Sequence, residues 1–343
     1  MKSIWITLAL FLCTSGLWAQ SKETTIAFGS CDDEDEPQEM WKEVIAQKPS
    51  VWIWGGDNVY ADTHDMILLK AKYDKQKSNP DYQKLMRMST ITGTWDDHDY
   101  GVNDGGKLYS KKNDSKKYLL DFLGIAEPSP VYEHEGVYHS LTIGKGKQKV
   151  KIINLDTRSF RDTVIKVSFI DSLTNKKMTH YEKNLKGDVL GEAQWQWLTD
   201  ELSDSSTELF IINSSIQVIS AEHRFEKWAN FPAARKRLLE VIAASNKRVI
   251  IVSGDRHIAE FSKIELPGMK YPLIDFTSSG ITHTWSESWE EMNKYRVGDL
   301  VIQKTFGVLK INWSGKAPKV TMQVRGLAKS PYAEYVLDFD LYR

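Results

Sequence analysis

Short apolar runs alternate along the chain with stretches whose apolar positions recur at helical spacing. Thr24 to Phe28 reads as a strand running into Gly29-Ser30-Cys31, and Met40, Trp41, Val44 and Ile45 then have helical spacing. Val51 to Trp54 reads as a second strand ending at Gly55-Gly56-Asp57, and a long polar segment behind it is expected to be helical on both sides of Pro80. Thr90 to Trp95 predicts a strand entering an acidic loop, followed by a helix over Tyr109 to Leu123. Further strands are expected at Lys149 to Leu155, Leu209 to Ile212, Arg248 to Val252 and Leu273 to Phe276. Ala193, Trp197, Leu198 and Leu202 suit a helix packed by one face, and Pro232 fits the first turn of another running to Ala244. The tail carries three expected strands near Phe306–Trp313, Lys319–Val324 and Tyr335–Asp340. Residues 159–190 are polar and read as an irregular excursion or lid. The pattern is that of an α/β protein, and its polar, glycine-containing clusters follow strands, where open α/β sheets bind their ligands.

Composition narrows the function classes. Of 343 residues, 45 are Lys or Arg and 46 Asp or Glu, a net charge of −1 without the basic excess of a nucleic-acid binder. With 41% hydrophobic and 27% charged residues, the chain is neither disordered nor a membrane bundle. No repeat or low-complexity linker interrupts it, so residues 20–343 are expected to form one domain. At the start, Lys2, the apolar run Ile4 to Leu12 and Leu17-Trp18-Ala19 read as an export signal over residues 1–19, cleaved after Ala19. The expected location is periplasmic or secreted. Lipidation at Cys13 is the lesser alternative, because Leu12 stands where lipoprotein processing prefers a small residue. Cys31 is then the only mature thiol, and an odd cysteine in an exported protein is a buried inert thiol, an intermolecular bridge, a nucleophile or a metal ligand.

Three clusters carry chemistry. In Gly56-Asp57-Asn58-Val59-Tyr60 a carboxylate and a phenol could reach one ion from a single turn, although Asp57 also suits a helix cap. Trp95-Asp96-Asp97-His98-Asp99-Tyr100 continues to Asn103-Asp104, a density of acids that repels itself unless cations or solvent intervene. It is not an EF-hand: counted from Asp97, the glycine position holds Val102 and the final Glu position holds Leu108. An exposed acidic turn is the plainer alternative. In Gly254-Asp255-Arg256-His257, residues two apart could serve neighbouring ions, or form a turn beside a packed histidine. Asp156, Arg158, Arg161, Asn213, Gln217 and His283 are weaker candidates, better explained by packing or surface roles. G-x-S-x-G, H-E-x-x-H and P-loop patterns are missing from the sequence.

Taken in order, these clusters resemble the PhoD-like branch of the calcineurin-like metallophosphoesterase superfamily. Gly29-Ser30-Cys31, Gly56-Asp57-Asn58-Val59-Tyr60, Trp95-Asp96-Asp97-His98-Asp99 and Gly254-Asp255-Arg256-His257 carry the resemblance. Leu155 to Asp162, Gln194-Trp195 and Thr277-Ser278-Ser279-Gly280 reinforce it. It implies a four-layer α/β/β/α sandwich of two mixed sheets flanked by helices, with the strands of about 306–340 completing the second sheet. It also implies two metals. One would be held by Cys31, Asp57, Tyr60 and His257, a donor set suited to Fe³⁺. The other would be held by Asp57 as bridge, Asp97 and Asp255, a set suited to Ca²⁺. The mid-chain ligand of the wider superfamily has no clear counterpart beyond Asn213 or Gln217.

The activity implied is metal-dependent hydrolysis of phosphoric esters, with activated hydroxide attacking phosphorus in line and His98 aiding the leaving group. Arg158 or Arg256 would clamp phosphate oxygens, and Asn103 would orient the substrate. Monoesters and diesters, lipid or envelope diesters included, both stay open, and Trp285 and Trp289 could line a pocket for a diester's organic group. A non-catalytic calcium-binding protein would keep the acidic clusters but would need neither Cys31, Tyr60 nor His98. A cysteine hydrolase would leave the acidic clusters unexplained.

Overall fold

A computed structural model describes residues 22–172, 175–285 and 291–342; the expected export signal, Cys13 and Trp289 lie outside the described residues. The first third of the chain forms β1 (Glu23–Gly29), α1 (Met40–Ala46), β2 (Val51–Gly55), α2 (Met66–Ser78), α3 (Pro80–Met88), β3 (Thr90–Thr94), α4 (Asp97–Tyr100) and α5 (Lys112–Leu123). The break at Pro80 has a local cause: the Asn79 side chain accepts from the backbone N–H groups of Asp81 and Tyr82, capping α3 where α2 ends. The middle forms β4 (His139–Ile143), β5 (Val150–Asn154), β6 (Ile165–Ile170), β7 (Lys177–Glu182), α6 (Gly191–Ser203), β8 (Leu209–Ser214) and α7 (Pro232–Ser245). The last third is β9 (Val249–Ser253), β10 (Ala259–Ile264), β11 (Leu273–Ser278), β12 (Arg296–Val301), β13 (Phe306–Asn312), β14 (Lys319–Arg325) and β15 (Ala333–Asp338).

The large strands form two mixed sheets. One has the order β15-β14-β13-β1-β2-β3 and the other β12-β10-β11-β9-β8-β5-β4. Period-two alternation sorts even the wholly apolar strands into two faces. Ile26, Phe28, Val51 and Ile53 of one sheet meet Val150, Ile152, Leu209, Ile211, Ile250 and Val252 of the other in a shared core. Their alternates Ala27, Trp52 and Trp54 pack under α1, α2, α3 and α5. Ile153, Phe210, Ile212, Val249 and Ile251 pack under α6 and α7. Each fully buried aliphatic side chain contributes about 1.5–3 kcal/mol. The result is the helix-sheet-sheet-helix sandwich expected from the resemblance.

Four expectations change. Residues 159–190 are not irregular: β6 and β7 pair within them as an antiparallel hairpin, Ile165 opposite Glu182. Strands β4, β10 and β12 went unread, because polar positions break their apolar pattern, partly exposed ones in β4 and β12 and the buried Glu260 and Ser262 in β10. The helix α6 packs through Gln194, Trp195, Leu198 and Leu202, while Ala193 faces solvent. The three C-terminal strands do not complete the sheet of β5, β8 and β9. They extend the N-terminal sheet, β13 pairing antiparallel with β1 from Glu23↔Asn312 to Phe28↔Gly307. That edge of β1 is free because β2 occupies the other.

The two sheets are joined at their carboxyl ends by polar contacts. Asn213 of β8 donates to the Trp54 carbonyl of β2 at 2.9 Å, and the Thr94 hydroxyl donates to the Leu155 carbonyl at 2.7 Å. Ile211→Ala, in the shared core, is expected to lower stability by about 2–5 kcal/mol. Phe169→Ala on the hairpin should change it by about 0.5 kcal/mol or less. Denaturant titration of both variants checks the layering, and equal losses would contradict it.

Candidate metal centre

The loops that leave β1, β2, β3, β8, β9 and β11 meet at this joined end. Backbone contacts stitch them together: Asp32 N–H to the Asp57 carbonyl at 2.9 Å, Gly254 N–H to Ser215 at 3.1 Å, Gly280 N–H to Ser30 at 3.1 Å. Gly56, at φ +95°, lies where a Cβ would come within 2.6 Å of the Asp96 Cβ, so only glycine lets the second and third loops touch. Cys31, Asp57, Asp255 and His257 all adopt positive φ, between 48° and 69°. Non-glycine residues rarely hold this conformation, and a cluster of them marks a place where surrounding structure imposes it.

These distortions bring side chains together. Donor atoms of Cys31, Asp57 and His257 lie within 4.8 Å of one another, as do those of Asp57, Asp96, Asp97 and Asp255. Asp57 is common to both groups. The Cys31 thiol lies 3.5 Å from Asp57 Oδ2. The buried Tyr60 hydroxyl has no hydrogen-bond partner and interacts with Cys31. Thus the structure brings together Cys31, Asp57, Tyr60, Asp97, Asp255 and His257 and adds Asp96, which the sequence reading had quoted only as part of its motif.

The electrostatics test whether cations fit there. Burial, then the neighbouring Asp96, pushes the Asp255 carboxyl well above the usual carboxylate range. Burial likewise raises Asp57, against the opposing pull of His98, and raises Asp96 to about 7. The Cys31 thiol rises through burial and the Asp57 charge. His257 falls to about 3 through burial and the adjacent His283 and Arg256, so its imidazole is neutral, the form that ligates metal. Asp97 Oδ1 and Asp96 Oδ2 are buried without hydrogen-bond partners. Crowded, desolvated acids and orphaned oxygens of this kind are what positive ions would satisfy, so the residues fit a pair of metals.

The remaining candidates separate. His98 lies at the edge of the centre, its Nδ1 2.7 Å from Asp62 Oδ2 and its ring on Tyr60 at 4.3 Å. Burial opposes its charge, but Asp57 and Asp62 outweigh that and hold it up to about 11. Asn103 is exposed, and its amide donates to Asp97 Oδ2 at 3.1 Å, so it orients that carboxylate. Neither arginine is available as a phosphate clamp. Arg158 is fully buried and spent on Asp96, Asp97 and Glu226. Arg256 is 1% exposed, paired with Glu291 and stacked over Phe225. Gln217 is tied to Glu260 and Thr277, and the Asn213 amide nitrogen bridges Trp54 and Asn154, leaving its Oδ1 unpartnered. His283 and Trp285 flank His257 at 4.5 and 5.7 Å between ring centroids. Asp62, Glu226 and Tyr181, whose hydroxyl donates to Asp104 Oδ1 at 2.8 Å, escaped the sequence reading because none belongs to a motif.

A dimetal phosphatase from Danio rerio shares this two-sheet α/β sandwich fold, with a TM-score of 0.54 at 10% identity over 92% of this chain and 99% of that one. The chain belongs to the PhoD-like phosphatase family, whose model matches residues 26–304. A solved structure of PhoD superposes with a TM-score of 0.68 at 16% identity, over 93% of this chain and 69% of that one. Alkaline phosphatase D of Bacillus subtilis (strain 168) is 22% identical over 287 residues, 72% of this chain and 48% of that protein. The chain thus spans about half the length of that relative.

Gly56→Ala should drive the Asp57 and Asp96 loops apart, lowering stability by about 1–3 kcal/mol and weakening metal binding. Thermal melts with and without added metal measure both, and a variant with wild-type metal affinity would contradict the role given to this contact.

Proposed function

We propose that the chain is a metal-dependent phosphoric ester hydrolase acting at this centre. The observation that carries the reading is the sharing of Asp57 between a thiol, phenol and imidazole group and an all-carboxylate group. The first set suits Fe³⁺ and the second a hard ion such as Ca²⁺. Two such ions would polarise a phosphoryl oxygen and acidify water near neutral pH. The protein's own part is positioning. Asp57, with its backbone in the left-handed region, presents one carboxylate to both groups. His98, its Nδ1 engaged by Asp62, has Nε2 left to give a proton to the leaving oxygen. The hairpin of β6 and β7 is held at the centre's rim through Tyr181 and Lys166, both on Asp104, where it limits the access of water and of bulky esters. Export through the leader read in residues 1–19 would put this activity outside the cytoplasm. A phosphodiesterase acting on lipid or envelope diesters is the alternative substrate class, and the assay below separates it.

Turnover of p-nitrophenyl phosphate or bis-p-nitrophenyl phosphate is expected, and the preferred ester gives the class. Chelation should abolish it, and elemental analysis should find two metals per chain. His98→Ala should lower kcat by about 10²–10⁴-fold with metals retained. Iron bound by Tyr60 should give a visible absorbance band that Tyr60→Phe removes. Chelator-resistant turnover lost on thiol alkylation would falsify this reading in favour of a cysteine hydrolase, and metal binding without turnover would leave a binding protein.

A further inference from the structure

One carboxylate from outside every motif reaches the centre. Glu226 lies between β8 and α7 and is 3% exposed. Its Oε2 is 2.9 Å from an Arg158 terminal nitrogen, and its Oε1 is 3.0 Å from Arg161 Nε. The two guanidinium groups approach Asp97 by separate routes. Arg158 contacts Asp96 and lies 3.7 Å from Asp97 Oδ1. Arg161 donates to the carbonyls of Asp104 and Gly105, each at 2.7 Å. That pins the loop from which the Asn103 amide and the Asp104 backbone N–H reach Asp97 Oδ2, at 3.1 and 2.6 Å. One carboxylate therefore governs both sides of another.

We infer that Glu226 is a positioning residue that clamps Arg158 and Arg161 together and so keeps Asp97 oriented and available to a cation. The inference rests on the two-metal reading above. Glu226 faces both guanidinium groups and takes up part of the positive charge that would otherwise fall on Asp96 and Asp97. Without the Glu226 charge that share is lost. The two arginines, which repel each other, then turn their whole charge on Asp96 and Asp97. A cation must compete with them for those oxygens. Cys31, Tyr60 and His257 are not among the ion-pair partners of Glu226, Arg158 and Arg161, so the effect falls chiefly on one of the two ions.

The test compares the metal-loaded wild type with Glu226→Gln and Glu226→Asp. Three quantities are measured: Ca²⁺ affinity by calorimetry, the visible band of iron bound at Tyr60, and the thermal midpoint. Partners behind a metal's direct ligands typically change affinity 10–100-fold, and a loss of about that size is expected for Ca²⁺ in the Gln variant. The Asp variant, charged but one methylene shorter, should fall between Gln and wild type. The iron band should persist in both. Should the Gln variant not fold, the comparison of wild type with Asp carries the same expectation. Unchanged Ca²⁺ affinity in either folded variant overturns the clamp, as does a parallel loss of the iron band and thermal midpoint, which marks a general structural role. A wild type that binds iron but no Ca²⁺ overturns the clamp alone, whereas one that binds no metal overturns the two-metal reading and the clamp with it.

Discussion

The repulsion among Asp57, Asp96, Asp97 and Asp255 is the constraint that organises this molecule. Donor atoms of all four lie within 4.8 Å of one another in a buried space. Two like charges 4 Å apart repel by about 4 kcal/mol at an effective dielectric of about 20. No short-range preference of the chain would gather them. They are held because they sit on three loops, Asp57 behind β2, Asp96 and Asp97 behind β3, and Asp255 behind β9, and each of those strands is fixed within one of the two sheets.

The scaffold supplies that hold at three levels. Apolar layers fix the sheets. Asn213 and Thr94 join the sheets at the end where the loops emerge, so that end cannot splay. At the finest scale, left-handed backbone at Cys31, Asp57, Asp255 and His257 turns the donors inward, and Arg158 and Arg161 offset part of the charge. Asp99, although in the same acidic run, takes no part. Its carboxylate accepts from the Asp96 backbone, the Asn58 amide and the Tyr73 hydroxyl, and so shapes the turn that aims Asp97. Dense acid in a sequence thus divides into residues that face a ligand and residues that build the loop.

Much of this was legible in the chain before any coordinates. Strands such as Val51–Gly55 announce themselves by uninterrupted apolar residues, and the polar clusters behind them gave Cys31, Asp57, Asp97, Asp255 and His257 as candidates. What stayed hidden is non-local. Arg158 and Arg256 look like free cations in a sequence, and only the fold shows that Glu226 and Glu291 have already claimed them. The same holds for the β6–β7 hairpin, whose strands are mostly solvent-facing and carry no buried stripe. Pairing partners are likewise invisible locally, which is why the final strands were assigned to the other sheet.

The position of β1 has a consequence for how the molecule is made. Its neighbours are β2, close behind it in the chain, and β13, since Ile26 pairs with Leu309. During synthesis on the ribosome the strand that leads into Cys31 therefore emerges early but keeps one bare edge until β13 has followed. Closure of that sheet is a late, long-range event, slow by its topology and exposed to mispairing until it happens. Nascent chains that stall before β13 would present an open β edge beside an unprotected thiol.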